Sequence, residues 1–418
     1  MPTWPILINI FLSALNIILK FFLNIFLANN FEEGLLVKYF TLIDVITLLS
    51  IFIVGIKDTM VRAVNNYGMG IYLFFSRIFL FFLAIFLLFF VPLLFFIFTS
   101  IFDNFFNFSL SYILLMLLVL MINTFLMDVL LSSRVYSTIS YIEFFKGSAF
   151  VSIFFLFFLI FYFDNPYIYL ILSFVLSNIL VSVWIFPKIK KIIFKAKIQN
   201  DSNPIKIDKN IRSLFFYSFN FSSLEYFCSY LIIYSNSILM IIFFGTENVG
   251  DLQVVARPIY LALIAILSFP VFRFLFPEFL NLIKNKRDNE LNKARKVFNR
   301  LTIFIGLLLI ILTWSVSEYF LDLLFPEQYK DSVYFLNILI ISIPFVVYTS
   351  FLFAIIKSYE HFRATFLIRL LGLIAFIAMS LILYSSGFKE VLFIYSLLFS
   401  SLFMFIVAFV YERQIKKY

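Results

Sequence analysis

Twelve long apolar stretches dominate this chain, and they dictate what it can fold into. A helix rises 1.5 Å per residue, so about 20 apolar residues carry it across about 30 Å of hydrocarbon. Stretches near that length run over 5–28, 36–56, 74–99, 109–131, 145–163, 167–187, 214–243, 252–275, 301–320, 332–356, 365–384 and 391–410. Inside a bilayer every backbone N–H and C=O must be satisfied within the protein, which makes helices of such runs. The sequence therefore predicts an all-α polytopic membrane protein of about 12 transmembrane helices. Composition agrees. Only 13% of residues are charged, against about 25% in a soluble domain.

The basic residues orient the spans. Of 32 Lys and Arg, three (Lys38, Lys330 and Lys389) fall at the odd-numbered connections, two (Lys20 and Arg257) fall inside spans, and the other 27 gather on the opposite side. Cytoplasmic loops collect Lys and Arg, so both termini are expected in the cytoplasm. The net charge of +9 then reads as topology rather than as a nucleic-acid signal. A specific anionic partner for the basic loops is the alternative. The first apolar segment lacks a basic leader and is too long for a cleaved signal, so it reads as a retained span.

Several chemistries are excluded. One cysteine, Cys228, and one histidine, His361, cannot build a disulfide framework or a Cys/His metal cluster. No GxxxxGK[ST] stretch offers a phosphate-cradling loop. The outer connections are short, at most about a dozen residues, which leaves no room for an outer catalytic domain. The chain reads as a transporter rather than an enzyme, with no catalytic or metal-binding residues expected.

The longest basic stretch, PKIKKIIFKAKIQNDSNPIKIDKNIR from Pro187 to Arg212, falls between spans six and seven. It suggests an N-lobe over 1–187, a basic cytoplasmic linker over 188–212 and a C-lobe over 213–418. The two halves open alike. FEEGLLVKYFTLIDV set above ENVGDLQVVARPIYL at a shift of 216 matches Gly34 with Gly250 and Leu36 with Leu252. Each glycine is expected at an outer turn, where positive φ costs it nothing. Six is even, so the lobes would run in the same direction, a parallel repeat found in several transporter folds.

Charges inside the hydrocarbon mark candidate sites. Each costs roughly 2.5–3.5 kcal/mol at mid-membrane. Lys20 and Asp44 lie about eight residues from the outer end of their spans, Arg257 about six residues into the eighth, and Glu225 on the seventh. Two readings stand. These residues form structural ion pairs between helices, or they wall a cavity. In the second, Lys20 and Arg257 present positive charge to an anionic substrate, while Asp44 and Glu225 hold them or bind a coupling cation or proton. At the shift of 216, Asp44 falls on Tyr260, three residues and so one helix face from Arg257. Asp128, Arg77 and Arg369 lie near inner ends and read as snorkelling side chains. Pro92, Pro270 and Pro344 mark kinks, with Pro270 the best hinge candidate. Glu278 to Arg300 reads as an amphipathic helix at the cytoplasmic surface.

Four stretches carry a family resemblance: FEEGLLVKYFTLIDVITLLSIFIVGIKDTMVRAV, IIFFGTENVGDLQVVARPIY, LDLLFPEQYKDSVYFLNILIISIPF and IIKSYEHFRATFLIRLLGLI. They resemble the Wzx-type polysaccharide flippases of the MATE-like multidrug/oligosaccharidyl-lipid/polysaccharide exporter superfamily. The family often has glycine near Pro326 and near Glu360; this chain does not. The resemblance implies two six-helix lobes in the bacterial inner membrane. It also implies flipping of an undecaprenyl-pyrophosphate-linked oligosaccharide, destined for O-antigen, capsule or another surface glycan, to the outer leaflet. Such proteins have a cationic cavity, a role Lys20 and Arg257 fit. The implied partners are that glycan lipid, membrane lipids, a polysaccharide polymerase and a chain-length regulator. No cofactor is implied beyond a coupling H+ or Na+. The competing readings are a cation-coupled MATE-type drug exporter, which favours an acidic cavity, and a membrane polysaccharide polymerase or O-acyltransferase.

Overall fold

The computed structural model describes residues 3–90, 92–93, 96, 110–161, 166–202, 209–245, 249–270, 275–388 and 391–415. Among these residues there are fourteen α-helices and no strand. In order they are α1 (Thr3–Asn30), α2 (Glu33–Leu49), α3 (Ile51–Tyr67), α4 (Tyr72–Ile85), α5 (Leu110–Ser132), α6 (Tyr136–Phe161) and α7 (Pro166–Ser202). Then come α8 (Lys209–Phe244), α9 (Arg257–Pro270), α10 (Phe276–Lys284), α11 (Asp288–Leu324), α12 (Ser332–Ser358), α13 (Phe362–Ser385) and α14 (Leu392–Ile415).

Among the described residues, ten helical segments are long and apolar enough to cross a membrane, which makes this a multi-pass membrane protein. Of the expected spans, the second is two helices, and the eighth lies partly outside the described residues. The second is divided at Ser50, whose hydroxyl donates to the Thr47 carbonyl at 2.8 Å. Two 17-residue helices meet there. The eighth opens on a wide π-type turn over Asp251–Ala256, continues as the 14-residue α9, and reaches Pro270. Residues 271–274 lie outside the described set. Hydrophobic length alone does not reveal such interruptions, because the residues flanking them are as apolar as the rest of the span.

The chain forms two compact units, Met1–Leu19 with Val45–Ser223, and Lys20–Asp44 with Leu224–Tyr418. Helices α1, α2 and α8 each contribute to both. In the first unit α7 packs on α5 and α6, and α3 packs on α5. In the second, α12 is the central helix, with α9, α10, α11 and α14 packed on it and α13 packed on α14. Small residues permit close helix approach, as is usual where hydrophobicity cannot drive helix association. A Cβ on Gly55 would overlap the Ser223 side chain, one on Gly147 would overlap Asn16, and one on Gly306 would come within 2.6 Å of Pro344 Cγ.

Two expectations change here. Gly34 and Gly250 do not have positive φ. Gly250 is right-handed helical, at φ −57° and ψ −48°; its side is closed by Glu33, whose carboxylate a Cβ would strike. The left-handed glycine at that connection is Gly245, φ 83°, which ends α8 with its N–H on Ile241 O at 3.0 Å. Second, the segment from Glu278 to Arg300 is not one surface helix: 288–300 is the first part of α11, continuous with the ninth span. Residues 188–202, the first part of the basic stretch, are helical and extend α7. Glu360, where the resembled family often has glycine, holds φ 67°, a conformation that favours glycine.

Next to Gly250, Asp251 Oδ1 accepts the Ser332 N–H at 2.9 Å and so fixes the start of α12. Between α11 and α12, burial pushes the Tyr329 phenol up to about 12, with the Glu33 and Asp251 carboxylates adding to the effect.

Candidate functional site

The second unit holds several buried charges: Glu412 of α14 pairs with Arg295 of α11, and two further clusters contain residues marked by the sequence. The first gathers on α2, α8 and the turn into α9. Arg257 reaches Asp44 with both terminal nitrogens: Nη2 donates to Oδ1 at 2.6 Å, and Nη1 donates to Oδ2. Both side chains are almost wholly enclosed, at 6% and 5% exposure. Asp44 Oδ2 also accepts from Ser237 Oγ at 2.8 Å and from Gln253 Nε2 at 3.2 Å. Gln253 in turn accepts from Arg257 Nη1 at 2.7 Å and donates to Thr41 at 3.3 Å. The guanidinium carbon lies 5.2 Å from the centre of the Tyr234 ring, a cation–π distance. Charge-assisted, two-pronged bonding of this kind is the strong form of the ion pair. It offsets the several kcal/mol that burying each ion costs.

The local sequence explains the convergence. Thr41 and Asp44 are three apart on α2, and Gln253 and Arg257 four apart, so each pair shares a face. The Asn24 side chain on α1 donates to Val254 O at 2.6 Å, satisfying a carbonyl within the π-type turn that carries Gln253.

The second cluster centres on Glu225 of α8. Its Oε2 lies 2.7 Å from Lys357 Nζ of α12 and accepts from Thr365 Oγ1 of α13 at 3.0 Å. Lys357 is fully enclosed, with its ammonium 4.8 Å from the Tyr226 ring centre. One turn along α13 from Thr365 sits Arg369, also within electrostatic range of Glu225. Its guanidinium lies 4.7 Å from the Phe353 ring centre and Nη1 is 3.5 Å from Met404 Sδ. Its Nε is buried with no hydrogen-bond partner among the described residues.

Asp44 and Arg257 are thus brought together, Glu225 sits in a separate cluster, and Lys20 lies exposed on α1. Two expected snorkelling residues are buried instead, Asp128 at 5% and Arg369 at 8% exposure; Arg77 is exposed. Lys357, counted by sequence among the basic residues of an inner connection, is a buried ion-pair partner. Sequence reasoning also missed Gln253, Ser237, Thr41 and Thr365. The repeat of polar residues at three- and four-residue steps beside a charge is the available signal for Thr41, Gln253 and Thr365. Among the described residues no group of three His, Cys, Asp or Glu could hold a metal ion.

No protein-family model and no curated protein matches the chain in sequence. Solved structures do match in shape. A mutant form of VcmN, a MATE transporter from Vibrio cholerae, superposes with a TM-score of 0.70 at 14% identity, covering 99% of this chain and 95% of that one. A MATE protein in complex with MaL6 gives 0.73 at 12%, covering 99% and 96%. The outward-facing form of a multidrug resistance MATE transporter of the MOP superfamily gives 0.71 at 11%, covering 99% and 95%. The chain has the fold of MATE transporters along essentially its whole length.

Proposed function

We propose that this protein is an exporter of the MATE-like class that moves an anionic, lipid-linked oligosaccharide from the cytoplasmic to the outer leaflet by alternating access, with both termini cytoplasmic. The observation that carries the choice of cargo is the charge balance of the two clusters. Three cations, Arg257, Lys357 and Arg369, accompany two carboxylates, Asp44 and Glu225. A site built for cationic drugs has the opposite need. In this reading Asp44 occupies the Arg257 guanidinium while the site is empty, and a pyrophosphate oxygen competes for that guanidinium when cargo enters. Lys20 adds positive charge from α1. Undecaprenyl pyrophosphate carrying the repeat unit of O-antigen, capsule or a related glycan has the required chemistry: two phosphates on a tail that stays in lipid. Bacterial inner membrane is the compartment this cargo requires. A polymerase and a chain-length regulator are the partners that would take up the product, and H+ or Na+ is the coupling ion to test.

The test is a complementation assay. Lys20→Ala, and Asp44→Ala/Arg257→Met, which removes the cation without orphaning its acid, are expected to lower surface polysaccharide several-fold, and the two combined to lower it further, each normalised to the amount of the protein in the membrane. Normal polysaccharide in all three would remove the cationic-site reading. Unchanged polysaccharide with raised sensitivity to cationic drugs would instead support the drug-exporter reading.

A further inference from the structure

Helix α7 is longer than a membrane requires. Its 37 residues extend about 55 Å, against about 30 Å of hydrocarbon. Five lysines, Lys188, Lys190, Lys191, Lys195 and Lys197, fall in its last part, and no acid occurs from Pro166 to Asn200. Trp184, partly exposed, has the Lys188 ammonium 5.0 Å from the centre of its ring. Trp at the tail–headgroup boundary, with a lysine just beyond it, is the usual mark of the membrane surface.

The exposed face does not rotate away past that level. Ile179, Val183, Phe186, Lys190, Phe194 and Lys197 follow one another at three- and four-residue steps, so they form one stripe along the helix. The first three are exposed apolar residues; beyond the level of Trp184 the stripe admits lysines but keeps Phe194, at 63% exposure, with Ile198 beside it at 54%. Ile185, Ile189 and Ala196, on an adjacent face, are buried. The side of α7 that meets lipid tails thus continues into a surface where lysines flank an exposed aromatic ring.

The geometry points to residues 188–198 of α7 as a docking surface for the headgroups of anionic phospholipids in the leaflet at that end. Lysines without interspersed acids attract the phosphates: Lys188, Lys190 and Lys191 lie within about 10 Å of Trp184 along the helix, and Lys195 and Lys197 extend the positive field beyond them. A protein partner would need an acidic surface of the same length; lipid is favoured because the stripe is continuous with the span below it.

The experiment uses the full chain with Trp4→Phe and Trp314→Phe, leaving Trp184 as the only tryptophan, in micelles containing brominated lipid. Brominated phosphatidylglycerol is expected to quench Trp184 with about tenfold higher apparent affinity than brominated phosphatidylcholine. High salt should erase the difference, as should the variant Lys190→Gln/Lys191→Gln/Lys195→Gln/Lys197→Gln. Equal quenching by the two lipids overturns the proposal, and so does selectivity that survives both salt and the four substitutions. Selectivity abolished by millimolar inorganic phosphate would overturn it too, since it would assign the lysines to a soluble anion. The salt titration is read on the chain with its lysines intact, so a poorly folding lysine variant leaves the test standing.

Discussion

The charge clusters around Asp44 and Glu225 in the second unit are built from the same materials and balanced differently. Around Asp44 one carboxylate meets one guanidinium, both oxygens are engaged, and Ser237, Gln253 and Thr41 complete the network. Around Glu225 one carboxylate serves Lys357 at 2.7 Å while Arg369 waits one helical turn beyond the bound Thr365. Among the described residues, the first cluster has no second cation and the second has a spare. A closed pair resists change and fails completely when one member is lost. A carboxylate with a second cation one helical turn from its hydroxyl donor can lose one partner and turn to the other.

The largest effect expected from that difference follows loss of the only carboxylate at Arg257. Asp44→Ala should cost about 3–5 kcal/mol, because it leaves a buried cation uncompensated. Thermal unfolding of the purified protein in detergent measures it, and Asp44→Ala/Arg257→Met should recover most of the loss. A single variant as stable as the original would show that the pair is not what holds α2 to α9.

Lys357→Met should be milder, about 1–2 kcal/mol, because Arg369 can accept Glu225 in its place. The sharper measurement is the double variant Lys357→Met/Arg369→Met. It should exceed the sum of the two single effects by about 0.5–3 kcal/mol. Strict additivity would mean that Arg369 is no substitute partner, and the contrast between the clusters would collapse.

The smallest effect belongs to the outer part of the first cluster. Gln253→Leu removes one donor to Asp44 and one acceptor from Arg257 while leaving the ion pair in place, and should cost about 1 kcal/mol. A loss as large as that of Asp44→Ala would show that the glutamine, rather than the ion pair, organises the site.

The fold is legible in the sequence where the physics is one-dimensional. Length and apolarity predict most of the spans, since a helix is the only way to satisfy the backbone of such a run in lipid. They do not register the break at Ser50 or the π-type turn at Asp251–Ala256, where the backbone bonding changes within an otherwise uniform run. The deep charges Asp44, Arg257 and Glu225 stand out by cost alone. Lys357 does not, because it sits at the end of its helix, where lysine is ordinarily read as topology. Arg369 and Asp128 are hidden the same way. Depth along the sequence is not burial, and only packing of α12, α13 and α14 encloses a residue such as Lys357 or Arg369 near a helix end. The turn glycines show the converse. Gly250 reads as a turn residue and is a spacer for Glu33, a role set by a residue more than 200 positions away.

The contact of Gly306 with Pro344 has an evolutionary consequence. A proline inside α12 leaves a gap in that helix's bonding and presents its ring sideways, and the neighbouring α11 meets it with the one residue that has no side chain. Neither position can drift alone. A lineage that enlarges residue 306 must first give up the proline, and one that loses the proline inherits a void at 306. In a collection of related sequences the two should therefore change as a pair, and that covariation would be readable without any structure at all.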